Sequence, residues 1–423
     1  MTRTDGGDDG PEVLVVGGGA TGVGVARDLA MRGVSVVLAE RDGLSAGATG
    51  RSHGVLHSGA RYAEADERGA EECVRENEIL RDVAGVCVAD TGGLFVSLAS
   101  DDADYFARKR DACLAVGIDA EEVPVAEARE RVPGLSDRVE RAMWVPDGVI
   151  YPSRLVAATA GDARDRGARI RTHAPLTDVA VDGGRVVGAT VGGDDLDVDV
   201  VVNAAGAWAE SCAALAGVDV PMRPTKGVMV GVERDGVGPV VNRARSPADG
   251  DIAVPHPGSD RVVLGTTSVA VDDPDDYERG DEEVERVIEE CAGMVPGFAD
   301  DAVVDTYWGV RPLYGPSEAD RAAAATDAAG TGDARGISRE FTLLDHERDG
   351  AAGFYSIVGG KLTTHRAMAE AVADRVCERL GVDADCRTAA EPLAAADAPE
   401  TVDRLVAEFD AGSPADYDVT GAE

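Results

Sequence analysis

"EVLVVGGGATGVGVARDLAMRGVSVVLAERD", residues 12–42, decides the fold class. Val13 to Val16 is a short apolar run of the kind that fills a parallel strand buried on both faces. A glycine turn follows, then a helical pattern from Thr21 to Arg32 that Gly33 terminates, then a second strand over Val34–Ala39. Gly17, Gly19 and Gly22 spell G-x-G-x-x-G between strand and helix, and Glu40 closes the second strand. Glycines allow a tight turn and a close approach to a pyrophosphate at the helix N-terminus. A carboxylate in that place accepts from ribose hydroxyls. The unit predicts a doubly wound α/β domain that binds a dinucleotide, and the motif alone does not separate FAD from NAD.

Two further strand ends bear on that choice. "NAAGAW" (203–208) and "VGGKLTT" (358–364) each close a strand with a small-residue turn. In a doubly wound sheet such ends face one crevice. Three turns converging on one ligand suit a large buried dinucleotide such as FAD. The last turn opens a helix beside Lys361, and Met368, Val372, Val376 and Leu380 mark one buried face of that helix.

Elsewhere, residues 69–85 read as a charged helix and 92–99 as a strand. Residues 101–131 carry two helical patterns broken at Gly117 and Pro124, and a helix starts near Ser153. Residues 218–312 alternate like strands, with one helix near 281–292. Residues 315–336 look like a flexible loop. The expected division assigns 11–90, 146–217 and 338–386 to the dinucleotide domain and 91–145 to a substrate or cap segment. It assigns 218–337 to a substrate domain and 387–423 to an acidic, Ala/Pro-rich tail or linker with a weak helix at 399–409.

The charge balance narrows the setting. The chain has 423 residues, 79 acidic and 41 basic, and a formal charge of −38. Only Lys109, Lys226 and Lys361 are lysines. Such a surface suits a salt-filled cytoplasm, where a Debye length of roughly 3 Å at 1 M screens self-repulsion. It argues against nucleic acid as a partner. The seven cysteines include no C-x-x-C pair, so neither a metal site nor a disulfide scaffold is expected. The N-terminus lacks a secretory h-region and no apolar run is long enough to span a bilayer. The expected place is the cytoplasm, with any membrane attachment made through a partner.

Against that background "GRSHGVLHSGARY", residues 50–62, is conspicuous: it holds Arg51, Arg61, His53 and His57 and no carboxylate. An anion bound there would account for it.

"GATGRSHGVLHSGARY", "VVNAAGAW", "GVRPLYGP" and "GGKLTTHRAMAEAVADRVCERLG" together resemble the FAD-dependent glycerol-3-phosphate dehydrogenases, most closely the catalytic A subunit of the anaerobic three-subunit enzyme. The likeness runs from about residue 12 to residue 390. It implies a glutathione-reductase-like FAD fold with an inserted α+β substrate domain. It also implies hydride transfer from C2 of sn-glycerol 3-phosphate to the flavin, with electrons relayed to quinone by partner subunits at the membrane.

Carried over, Gly17, Gly19, Gly22, Glu40, Arg41, Thr49, Ser52, His53, Ala205, Gly206, Gly359, Gly360, Leu362 and Thr363 would hold FAD. Arg61, Tyr62, His256, Arg311 and Lys361 would contact substrate, with His57, Arg61, Arg311 and Lys361 as the catalytic set. A phosphate monoester asks for cations with donor-rich geometry, which Arg and Lys supply. His57 is the first choice of base, since imidazole titrates near neutrality, and His256 in "VPHPG" is the second; the histidine that some membrane-bound relatives carry after a "KG" turn is absent from "TKGVMVG". The family's cysteine-rich C-terminal domain has no counterpart in this sequence, so no iron–sulfur centre is expected in the chain. Two other readings stay open: an FAD enzyme for another hydroxy or amino acid, and a flavin-binding assembly subunit without activity.

Overall fold

The computed structural model describes residues 13–315 and 340–420. Val13–Val16 lies inside a six-stranded sheet of order 341–345, 354–359, 200–203, 13–16, 36–39, 169–171. Neighbours run parallel except the first pair, and Val13 is opposite both Val36 and Val200. Strand period then sorts side chains between two cores. Val13 and Val15 join the helices Ala20–Met31, Pro152–Asp165 and His365–Leu380 on one face. Leu14 and Val16 face a three-stranded antiparallel sheet (176–182, 185–191, 194–196) and the helix Ala209–Leu215 on the other. Burial on both sides is why this strand is apolar at every position.

A nine-stranded, mostly antiparallel sheet forms the second body. Its centre pairs Thr225–Glu233 with Val303–Arg311 and Arg261–Gly265. Gly93–Leu98 runs parallel to Val240–Arg243, so the 91–145 segment and the residues from 218 to 311 share one sheet. The helix Asp281–Ala292 covers it with Val287 and Cys291 buried. The last strand turn, Val310 to Pro312, brings this sheet against the glycine turn at Gly359.

The expected tail is a correction. Helix Pro399–Glu408 puts Val402, Leu405 and Val406 on one side, and Phe409 follows; all are buried, at the spacing of a helical apolar face. Leu405 and Phe409 join the helix-side core of the parallel sheet, and Arg154 grips Asp403 with a forked pair at 2.8 and 2.9 Å. Beyond it, Ala415 N–H donates to Gly50 O at 3.2 Å and Asp416 accepts from Ser153. The segment is therefore part of the body up to Thr420. The loop expected at 315–336 lies, from residue 316 on, outside the described residues. Among the described residues no helix is long and apolar enough to cross a membrane.

Candidate active site

The glycine turn opens into a crevice of about 1020 Å³ at the C-terminal ends of the parallel strands. It is lined by Gly17, Gly19, Glu40, Ala205, Gly206 and Gly359, so all three turns converge as the strand order requires. Gly17 sits at φ +112°, and a Cβ there would come 2.5 Å from the carbonyl oxygen of Ala204. At Gly22 a Cβ would collide with the carbonyl of Gly17. The helix that follows has no side-chain cap at Gly19 and no acid in its first turn. Its positive end is therefore available to an anion. Glu40 accepts from the Gly18 and Asp42 amides at 2.7 and 2.9 Å, which fixes a carboxylate at the end of the second strand. Volume, uncapped helix and carboxylate fit an extended dinucleotide.

The outer wall of the crevice comes from the other body. Arg41 lies 4.2 Å over the Trp208 ring and forks onto Asp275, which also accepts from the Trp208 indole at 2.8 Å. Pro274, Asp275, Tyr277 and Arg279 reach the crevice from the segment before the helix Asp281–Ala292. Of these, only Arg41 was expected at the site. Trp208 stood in the quoted "NAAGAW", but nothing local to Asp275 marks it, since its role depends on an approach from a distant segment.

A second cavity of about 190 Å³ adjoins the first, and Ala20, Thr49, Arg51, Gly359 and Met368 line both. Ser52, His53, His57, Tyr62, Arg311, Gly360, Lys361 and Leu362 line its walls. The His57 ring meets His53 edge-on at 5.8 Å and Tyr62 at 5.3 Å. The His57 amide donates to Thr363 Oγ1 at 3.0 Å, tying the basic stretch to the last glycine turn. Arg311 donates to Thr266 Oγ1 and Thr267 O at 3.1 and 3.0 Å. Lys361 is buried, with its ammonium 4.7 Å over the Tyr62 ring and 3.8 Å from Asp66. Lys361 Nζ has no hydrogen-bond partner among the described residues. The Tyr62 ring and Asp66 offset the burial of this ammonium only in part, and a ligand would supply the acceptors its donors lack. Below the turn, burial lowers His365 to about 4, and its Nδ1 donates to Leu362 O at 2.8 Å.

Two expected contacts lie elsewhere. Arg61 does not line the small cavity; it points to the buried Asp251 at 3.6 Å. Tyr62 N–H donates back to Gly59 O, and this tight turn sends adjacent side chains in different directions. His256 is also outside, buried against Asp418 at 3.0 Å and edge-on to Tyr151. Its partner belongs to the C-terminal segment that was expected to be a tail. Arg51, conspicuous in the basic stretch, also lines this cavity, while Gly227, Met229 and Gly309, which sequence reasoning missed, add to its walls.

Fold and site together define a two-body flavoprotein. The chain belongs to the FAD dependent oxidoreductase family, whose model matches residues 12–391, and FAD is its cofactor. Within it, the chain is 49% identical over 399 residues to the A1 subunit of the anaerobic glycerol-3-phosphate dehydrogenase of Haloferax volcanii, covering 90% of this chain and 66% of that protein. It is 41% identical over 400 residues to the A subunit of the anaerobic enzyme of Escherichia coli, covering 92% and 71%. The chain thus spans about two thirds of the length of these relatives. Among solved structures, L-proline dehydrogenase from P. horikoshii matches with a TM-score of 0.70 at 20% identity, covering 88% and 94%. The FAD complex of glycerol-3-phosphate dehydrogenase from Bacillus halodurans matches at 0.67 and 23%, covering 95% and 73%.

Proposed function

We propose that the chain oxidises sn-glycerol 3-phosphate to dihydroxyacetone phosphate, as the flavin-bearing subunit of a complex that passes electrons to quinone. One observation carries the reading: Lys361, a buried ammonium without a hydrogen-bond acceptor among the described residues, shares a small cavity with Arg311 and His57 beside the dinucleotide crevice. The names of the Haloferax and Escherichia relatives support this substrate and the presence of further subunits.

In this reading the uncapped helix N-terminus behind Gly17, Gly19 and Gly22 holds the pyrophosphate, and Glu40 holds the ribose. When bound, FAD supplies the acceptor for the hydride of C2. Thr49, Ser52, His53, Ala205, Gly206, Gly359, Gly360, Leu362 and Thr363 shape the crevice and the junction with the small cavity. Lys361 and Arg311 hold the phosphate dianion, Arg as a planar donor and Lys as a point charge. Tyr62 packs beneath Lys361 and closes the wall. His57 takes the C2 hydroxyl proton as the hydride leaves, so charge does not build up on the substrate oxygen. Arg61 and His256 have structural parts here, through Asp251 and Asp418. Attachment at the inner face of the membrane comes through the partner subunits.

The test is a visible spectrum of the protein in high salt, before and after anaerobic addition of sn-glycerol 3-phosphate. Bleaching of the flavin band by this substrate, and not by lactate or amino acids, is expected. A band bleached only by an amino or hydroxy acid overturns the substrate. A band that nothing bleaches favours an assembly subunit.

A further inference from the structure

Lys109 lies outside both cavities, yet it is buried and used in full. It comes from the helix Ala103–Ala115, and its ammonium reaches three acceptors on one short turn. These are Ala60 O at 3.0 Å, Arg61 O at 3.4 Å and Glu64 Oε2 at 2.7 Å. Tyr105, from the same helix, donates to the other oxygen of Glu64. Phe95 lies 5.2 Å beneath the ammonium.

The turn so gripped carries two of the groups around Lys361. Tyr62 O accepts from the Ala65 and Asp66 amides at 2.9 and 2.8 Å, so Tyr62 and Asp66 move as one piece. Tyr62 presents its ring to Lys361, and Asp66 lies 3.8 Å from the same ammonium. The turn has no other buried cation beneath it among the described residues that bonds its carbonyls. A chain that has three lysines places one here, in contact with neither cavity.

We propose that Lys109 is a positioning residue for the anion end of the small cavity: through the turn Gly59–Asp66 it fixes where Tyr62 and Asp66 hold the Lys361 ammonium. The proposal rests on the reading that Lys361 binds the substrate's anionic group. Lys109 touches no reacting atom; it sets the geometry of a residue that does.

A double-mutant cycle on the flavin-loaded full chain tests this, with Lys109→Met, Lys361→Met and the pair. Lys109→Met is expected to raise KM for sn-glycerol 3-phosphate about tenfold while kcat changes less than about threefold and flavin content holds. In the pair, the Lys109 change is expected to add nothing to the larger loss from Lys361→Met, because the two act as one unit. Independent effects that multiply in the pair overturn the proposal, as does a Lys109→Met enzyme with wild-type KM. Should Lys109→Met fail to fold, Glu64→Gln, which leaves a neutral acceptor for Lys109, takes its place in the same cycle. The cycle is also read on the dissociation constant of inorganic phosphate, followed by the flavin absorption band. A wild type that binds phosphate but is not reduced by sn-glycerol 3-phosphate overturns the substrate reading and leaves the cycle readable. A wild type that binds neither overturns both.

Discussion

Lys361 meets the face of Tyr62, its ammonium 4.7 Å from the ring centroid and out of reach of any hydrogen-bond acceptor among the described residues. A ring face attracts a cation without saturating its three donors. That is how a protein keeps a buried charge tolerable when free and still able to bind. Lys361→Met keeps the length of the stem and removes the charge. The expected loss is about 1.5–3 kcal/mol, roughly 10- to 150-fold in kcat/KM, carried mainly by KM. Steady-state kinetics on flavin-replete enzyme checks it, and an unchanged KM sinks the phosphate assignment. Arg311→Ala is expected to act in the same direction.

On the other side of the site, Arg41, Trp208 and Asp275 close the wall of the large crevice. The ion pair is half-exposed on both partners, so in concentrated salt it contributes little, about 0–1 kcal/mol. The stack of Arg41 on Trp208 is a short-range contact that salt does not dissolve. Asp275→Ala should therefore weaken FAD binding in low salt and hardly at all near 1 M, whereas Trp208→Ala should weaken it in both. FAD titrations followed by flavin fluorescence at two salt concentrations separate these. An Asp275→Ala effect independent of salt contradicts the argument.

What the sequence revealed followed from whether the information was local. Gly17, Gly22 and Glu40 were legible because turn, helix start and strand end are neighbours along the chain. Tyr62 and Arg61 were equally conspicuous as letters, and nothing local says that one turns to the cavity and the other to Asp251. The C-terminal helix was legible at 399–409, but its docking was hidden by composition, since Ala, Pro and Asp around it lower the average while Val402, Leu405, Val406 and Phe409 still form an apolar face. Its fit gives a prediction. Leu405 packs into the space left by Gly161, so Leu405→Ala opens a cavity between two helices. The expected loss is about 2–4 kcal/mol, seen as a lower denaturation midpoint with the flavin spectrum retained. A variant as stable as wild type would mean that this helix does not hold in solution.

His365 lies beneath the glycine turn that carries Lys361, bonded to the Leu362 carbonyl. Burial lowers its imidazole from 6.5 to about 4, opposed in part by its bond to the Leu362 carbonyl. Between those values the unfolded chain binds a proton that the folded chain refuses. The stability is thus present in full above pH 6.5 and is lost as pH falls toward 4, by about 3 kcal/mol across the window. Carboxylates start to titrate at the acid end, so the comparison belongs between pH 7 and about 5. There, His365→Gln, which still offers a donor to Leu362 O, should show a flatter dependence of the denaturation midpoint on pH than wild type. If the two curves run parallel, the imidazole is not held neutral in the fold.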